Sequence, residues 1–123
     1  MANSDVHGAT IENIFVGGEA KHLVFGLWHE AKLKNIVFAS SNSEASINTA
    51  GDSVITFTNV FAVGAKLHDG LTVEPTLSNT NVFASKSDLL AAMSAEGEMD
   101  KWAGSGFSVE DGKLLFFGRV VIG

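Results

Sequence analysis

A short phrase recurs four times along this chain of 123 residues. In each copy an asparagine follows a polar residue and precedes two apolar residues, the first of which is Ile or Val; the asparagines are Asn13, Asn35, Asn59 and Asn81. Successive copies are separated by 22, 24 and 22 residues. Because periods of 20 to 50 residues are typical of repeat architectures, one interpretation is a short β-solenoid whose coils of about 22 residues stack their asparagines at a corner.

The dipeptides between the copies favour a different architecture. Asp69-Gly70 and Asp111-Gly112 are each flanked by strand-like residues, and Gly17-Gly18 lies between "NIFV" and "HLVF". Such dipeptides are typical of type I′ turns, which need positive φ at both central positions and which reverse the chain. We therefore predict an antiparallel β-sandwich or barrel, in which the segments on either side of Asp69-Gly70 pair antiparallel. The short solenoid remains the alternative.

The other elements fit a mainly β domain with one short helix in its C-terminal half. In "SVITFT", Ile55 and Phe57 alternate with threonines, which predicts a strand with one buried side. In "SKSDLLAAMSAEG", Ser85 is a candidate N-cap, and Gly97 is a candidate stop. "EMDKWAG" is expected to add one helical turn. At this length, residues 1–123 are predicted to form a single β-rich domain.

Two segments, "HLVFGLW" and "KLLFFGRVVIG", are apolar on both faces of a predicted strand. Such a strand is either covered on both sides or lies in an interface. Charged residues make up 18% of the chain, against about 25% in an ordinary domain, and the mean hydropathy is +0.22. We therefore expect a homo-oligomer or a larger protein assembly. The residues expected at the interface are Phe116, Phe117, Arg119, Val121, Leu23, Phe25 and Trp28.

Several kinds of chemistry are disfavoured by the residue inventory. The chain has no cysteine, so it has neither a disulfide nor a thiolate ligand or nucleophile. A net charge of −6 with a single arginine, Arg119, argues against a nucleic-acid partner. The sequence "HE" at His29 lacks the second histidine that a helical zinc motif requires. We find no nucleophile elbow and no P-loop, so we expect no catalytic residue, metal or cofactor.

A small ligand is the main alternative to assembly. The weak candidates for ligand contacts are two tryptophans that could stack on a sugar and two histidines: Trp28, Trp102, His22 and His68. The complete absence of tyrosine argues against a binding face, because tyrosine is favoured at such surfaces. A carbohydrate- or small-ligand-binding β domain is therefore the second interpretation. A small enzyme with its site in a barrel mouth is the third.

The start of the chain, "MANSDVHGAT", has no basic region followed by an apolar run, so no secretory signal is predicted. The apolar stretches are too short to span a membrane, and no membrane partner is expected. A cytoplasmic or virion location follows as the expectation. The predicted function is that of a non-enzymatic structural protein that self-associates or coats a larger assembly. By analogy of class, phage virion accessory proteins such as head-decoration or tail components have this general look of short, cysteine-free β chains.

Overall fold

The computed structural model describes residues 9–23, 30–48 and 54–123, and this part of the chain is mainly β with both parallel and antiparallel sheets. Two short helices accompany the strands. In chain order the elements are β1 (Ala9–Val16), β2 (Glu30–Ala39), β3 (Ala45–Asn48), β4 (Val54–Val63), β5 (Ala65–His68), β6 (Thr76–Phe83), α1 (Lys86–Met93), α2 (Glu98–Lys101), β7 (Phe107–Glu110), β8 (Lys113–Phe116) and β9 (Arg119–Ile122).

The described residues before α1 form a stack of parallel coils. The strands β1, β2, β4 and β6 lie side by side in chain order, and every neighbouring pair is parallel. The strands β3 and β5 form a second parallel sheet, and Lys21 extends it because its carbonyl accepts a hydrogen bond from the N–H of Ser46. This arrangement is that of the short solenoid. The antiparallel sandwich or barrel is not confirmed, since antiparallel pairing is confined to β7, β8 and β9.

Two of the predicted hairpin turns are bends within the stack of coils. At Asp69-Gly70, only Gly70 has positive φ (87°), so the type I′ geometry is not formed. The preceding strand β5 pairs parallel with β3, and residues 71–74 form no strand, so the antiparallel pairing predicted here is wrong. The carbonyl of Gly18 accepts a hydrogen bond from the N–H of Ser41 in the next coil, at 2.8 Å. A glycine-containing dipeptide thus bends the chain at these sites without reversing it.

The interior of the coils holds the first core cluster, which is continuous from one strand to the next. Ile55 and Phe57 point into it, as their alternation predicted. Both Leu33 and Ile36 also point inward, although three positions separate them, because the left-handed backbone of Asn35 between them interrupts the alternation. The buried members of the first core cluster are Ile11, Ala31, Leu33, Ile36, Phe38, Ala45, Ile47, Ile55, Phe57, Val60, Ala62 and Ala65.

The helical segment forms where it was predicted. The hydroxyl of Ser85 accepts a hydrogen bond from the N–H of Asp88 at 3.1 Å, which satisfies one of the free donors at the start of α1. Leu89 and Met93 form its buried side. The expected additional turn is α2. Gly97 has a different role from the predicted one: α1 ends at Met93, and Gly97, with φ 82°, precedes α2.

The last three strands form an antiparallel meander with two tight turns. Asp111 and Gly112 have φ values of 52° and 70°, which confirms the predicted primed turn between β7 and β8. Phe117 and Gly118, with φ values of 49° and 80°, form a second two-residue turn. The segment 113–123 is therefore two strands, β8 and β9, and the single two-sided strand predicted there is wrong.

The C-terminal unit, which comprises α1, α2 and the meander, covers the outer face of the parallel sheet. Its buried residues pack with Val37 and Phe61, which point away from the coil interior, and form the second core cluster. An unbroken series of ring contacts crosses the junction, from Phe61 to Trp102 at 5.2 Å and from Trp102 to Phe107 at 5.5 Å between ring centroids. Because the unit lies against the side of the stack, it does not add a strand beyond β6.

Candidate functional site

The repeated asparagines form a hydrogen-bonded column along the stack. The side-chain Nδ2 of Asn35 donates to Oδ1 of Asn13 at 3.0 Å, that of Asn59 to Asn35 at 2.9 Å, and that of Asn79 to Asn59 at 2.8 Å. All four residues have positive φ, between 46° and 60°, which asparagine tolerates better than most residues. The fourth member is Asn79 and not the predicted Asn81, which lies opposite Phe61.

A buried carboxylate fixes α2 to this column. Oε2 of Glu98 accepts hydrogen bonds from Nδ2 of Asn79 at 2.7 Å and from Nε1 of Trp102 at 2.8 Å, and Nζ of Lys101 lies 3.5 Å from Oε1. Burial raises the pKa of Glu98, but the hydrogen bonds from Asn79 and Trp102 and the positive charge of Lys101 together outweigh it and lower the pKa below its ordinary value. The backbone carbonyl of Lys101 also accepts a hydrogen bond from Asn59.

From the sequence alone, the acidic run Glu96, Glu98 and Asp100 at the end of the helical segment suggests a solvated face. For Glu98 that expectation is wrong, because only 8% of the residue is exposed. A signal for its role was present: Trp102 follows it by four residues, so a helical turn brings the carboxylate and the indole N–H together. The partner on β6 had no comparable signal. Its involvement depends on how the C-terminal unit packs on the stack.

The candidate ligand residues are not gathered into one site in the described part of the chain. Trp102 is 1% exposed and offers no ring face to a sugar. Nδ1 of His22 lies 3.0 Å from the carbonyl oxygen of Ser46 and 3.1 Å from its hydroxyl oxygen. Nδ1 of His68 is buried and has no hydrogen-bond partner among the described residues. Trp28 lies outside the described residues.

A polar depression of about 370 Å³ lies on the second sheet of the stack, and Lys21, His22, Ser43, Glu44, Lys66 and Asp69 line it. Nζ of Lys21 lies 3.5 Å from a carboxylate oxygen of Glu44, and both side chains are largely exposed. Lysines and carboxylates are mixed around its rim. The depression therefore presents neither a single sign of charge nor an apolar floor for a specific ligand.

The outer edge of β6 is the most distinctive surface of the described chain. Leu77 lies beside Phe57, and Val82 beside Ala62, both of which belong to the coil interior. Because neighbouring positions of a parallel sheet point to the same face, Leu77 and Val82 are interior positions of the last coil. They are nevertheless 50% exposed, since no described strand pairs with this edge. The strand itself, "TLSNTNVF", contains neither a charged residue nor proline.

The residues of the predicted interface lie in different environments. Phe117 is 71% exposed at its turn, and Arg119 is also exposed. Phe116 and Val121 are half-buried against the second core cluster. Because the chain turns at Phe117-Gly118, Val120 and not the predicted Val121 is exposed together with Phe117. Val120 is 54% exposed. Leu23 packs against the first core cluster. Phe25 and Trp28 lie outside the described residues.

Comparisons with protein-family models, with curated proteins and with solved structures find no match to this chain. Within residues 9–23, 30–48 and 54–123, no three histidine or carboxylate side chains converge as metal ligands would. None of the helices in these ranges has the length and apolarity that a membrane crossing requires. The function is therefore inferred from the geometry of the stack, its open edge and the C-terminal unit.

Proposed function

We propose that this protein is a non-enzymatic structural component that assembles with copies of itself. The observation that carries the proposal is the edge of β6, which no strand of the described residues covers. Leu77 and Val82 occupy interior positions there but remain half exposed. Their counterparts one coil earlier, Phe57 and Ala62, are fully buried. Each inner coil buries its interior apolar side chains by pairing with the next coil. Pairing the β6 edge with another strand would bury Leu77 and Val82 in the same way.

The edge also lacks the features that natural proteins use to prevent such pairing. Exposed edge strands usually carry lysines, a proline or a bulge, because their free N–H and C=O groups otherwise recruit another strand. The eight residues of β6 carry none of these charges, and Pro75 precedes the strand without interrupting it. An uncharged, regular and partly apolar edge is the kind of surface that a partner strand covers.

A second apolar surface supports a role within a larger assembly. Phe117 and Val120 are exposed on the C-terminal meander, beside Arg119. The surface of Phe117 and Val120 lies on the meander, whereas the β6 edge lies on the stack. One molecule can therefore contact a copy of itself through β6 and a different protein through the meander. Two apolar surfaces on one chain support a role as a coat or accessory component, such as a phage head-decoration or tail protein.

Sedimentation velocity of edge variants tests self-association. We expect the wild type to sediment as an oligomer between about 1 and 100 µM, and Leu77→Lys to shift it to the monomer because the ammonium group would be buried in the contact. Ser78→Lys is the matched control. Its side chain continues the outward column of Thr58 and Lys34, and Lys34 already shows that a lysine is compatible with a fully paired strand.

The control variant should therefore remain assembled. A wild type that stays monomeric over the whole concentration range contradicts the proposal, and so does a Leu77→Lys variant that is folded and assembles as tightly as the wild type.

A further inference from the structure

We infer that the copies join head to tail, with the β6 edge of one molecule against the β1 edge of the next, so that the asparagine column continues from copy to copy. This inference rests on the proposed self-assembly and specifies its geometry. The occupant of the β6 edge is a second copy of this chain.

The direction of the hydrogen bonds in the column provides the first argument. Each Nδ2 donates to Oδ1 of the preceding coil, so the two ends of the column differ. At one end, Nδ2 of Asn13 has no acceptor among the described residues. At the other end, Nδ2 of Asn79 donates to both Asn59 and Glu98, and Oδ1 of Asn79 accepts no hydrogen bond from a described residue. A free donor at one end therefore matches a free acceptor at the other.

A symmetric contact between two β6 edges would lack this match. It would bring together two Asn79 side chains whose Nδ2 hydrogens are already used, so that only acceptors would remain for the contact. A buried acceptor without a donor is unfavourable. The directional column thus favours a heterologous contact over a two-fold one.

The side-chain columns provide the second argument. If Asn13 of one copy follows Asn79 of another, the register of the inner coils places Ile11 beside Leu77 and Val16 beside Val82. These pairs continue the interior columns with apolar residues at each position. On the outer face, Glu12 would lie beside the uncharged Ser78, so the contact brings no like charges together.

A head-to-tail contact leaves one free edge of each kind after every addition. Copies therefore continue to add, and they form an open filament unless the rotation between copies closes a ring. This property distinguishes the proposed geometry from a two-fold dimer, which is complete at two copies.

A mixing experiment with two blocked variants tests the geometry. Asn13→Asp keeps an oxygen that accepts the hydrogen bond from Asn35 but replaces the free donor with a second acceptor, and aspartate also tolerates positive φ. It blocks only the β1 end. Leu77→Lys blocks only the β6 end, and Val82→Lys replaces it if circular dichroism shows that Leu77→Lys does not fold. Each is expected to weaken self-association by at least about tenfold.

At a concentration at which the wild type assembles, each blocked variant alone should sediment as a monomer. The equimolar mixture should form a one-to-one pair that does not grow, because only one compatible pair of ends remains. If Asn13→Asp alone forms a dimer as tightly as the wild type assembles, the β6 edges meet symmetrically. The head-to-tail inference is then overturned, while the proposed self-assembly stands. A monomeric wild type would overturn both.

Discussion

Glu98 is the single side chain that most directly connects the two parts of the described structure. Its carboxylate accepts from Asn79 on the stack and from Trp102 in the C-terminal unit. We predict that Glu98→Ala lowers the free energy of unfolding by about 1 to 3 kcal/mol, because two buried donors lose their acceptor. Chemical denaturation measures this loss. Asp100→Ala, at an exposed position of the same helix, should change it by less than about 0.5 kcal/mol; equal losses would contradict the assignment.

The same residue predicts a dependence of stability on pH. The pKa of Glu98 is lower in the folded chain than in the unfolded one, so its stabilising contribution is complete above the unfolded pKa and disappears as the pH falls through the folded pKa. We expect the free energy of unfolding to fall in the pH window at and below the ordinary glutamate pKa of 4.5, and to fall less steeply in Glu98→Gln. Urea titrations across this window measure both slopes. Identical slopes would show that Glu98 is not among the responsible groups.

At Gly64 the backbone of one coil approaches the next so closely that no side chain fits. A Cβ atom there would clash directly with the carbonyl oxygen of Ser40, and φ is 72°. Gly104 has a similar φ of 80° but open space around it. Gly64→Ala should therefore lower the free energy of unfolding by about 1 to 3 kcal/mol more than Gly104→Ala. If the two variants lose equal free energy in thermal or urea unfolding, the positive φ sets the cost and the clash with Ser40 does not contribute.

Among the elements, the β7–β8 turn permits a direct test of local turn chemistry. Gly112 has φ 70°, and no atom would touch a side chain placed there, so the cost of a substitution is purely conformational. We predict that Gly112→Val lowers the free energy of unfolding by about 1 kcal/mol or more, because a β-branched residue resists positive φ. Ser108→Val, at an exposed position of β7, should have little effect. An unchanged melting temperature for Gly112→Val would contradict the turn assignment.

Elements with a local cause could be predicted from the sequence. The N-cap of α1, the alternation in β4 and the turn at Asp111-Gly112 each depend on residues a few positions apart. The way the strands pair depends on contacts between residues 20 to 24 positions apart, and turn dipeptides carry little information about such contacts. The same Asp-Gly signal therefore gave the correct pairing at Asp111 and the wrong one at Asp69.

The choice between Asn79 and Asn81 shows a second limit of sequence reasoning. The period alone selects Asn81, and the flanking apolar residues agree with it. The last coil is shorter, with 20 residues between Asn59 and Asn79, so the side chain that reaches the column is two positions earlier. The burial of Glu98 was missed for a related reason, since Asn79 and Trp102 become its donors only when the C-terminal unit packs on the stack.

At the scale of the whole molecule, the stack ends in an exposed apolar surface at β6. The proposed assembly would bury this surface. The sequence indicated an interface from its low charge and two-sided strands, and the expected positions were the segments "HLVFGLW" and "KLLFFGRVVIG". The structure adds a second and more regular surface at β6, where Leu77 and Val82 are exposed at interior positions. Phe117 and Val120 are also exposed, on the meander.

The molar mass of the wild-type chain in solution tests this account most directly. Light scattering coupled to size-exclusion chromatography, across a concentration series, should give masses that rise above two copies of the 12.9 kDa chain, because each head-to-tail addition leaves another edge open. A mass of 12.9 kDa at every concentration would contradict the account.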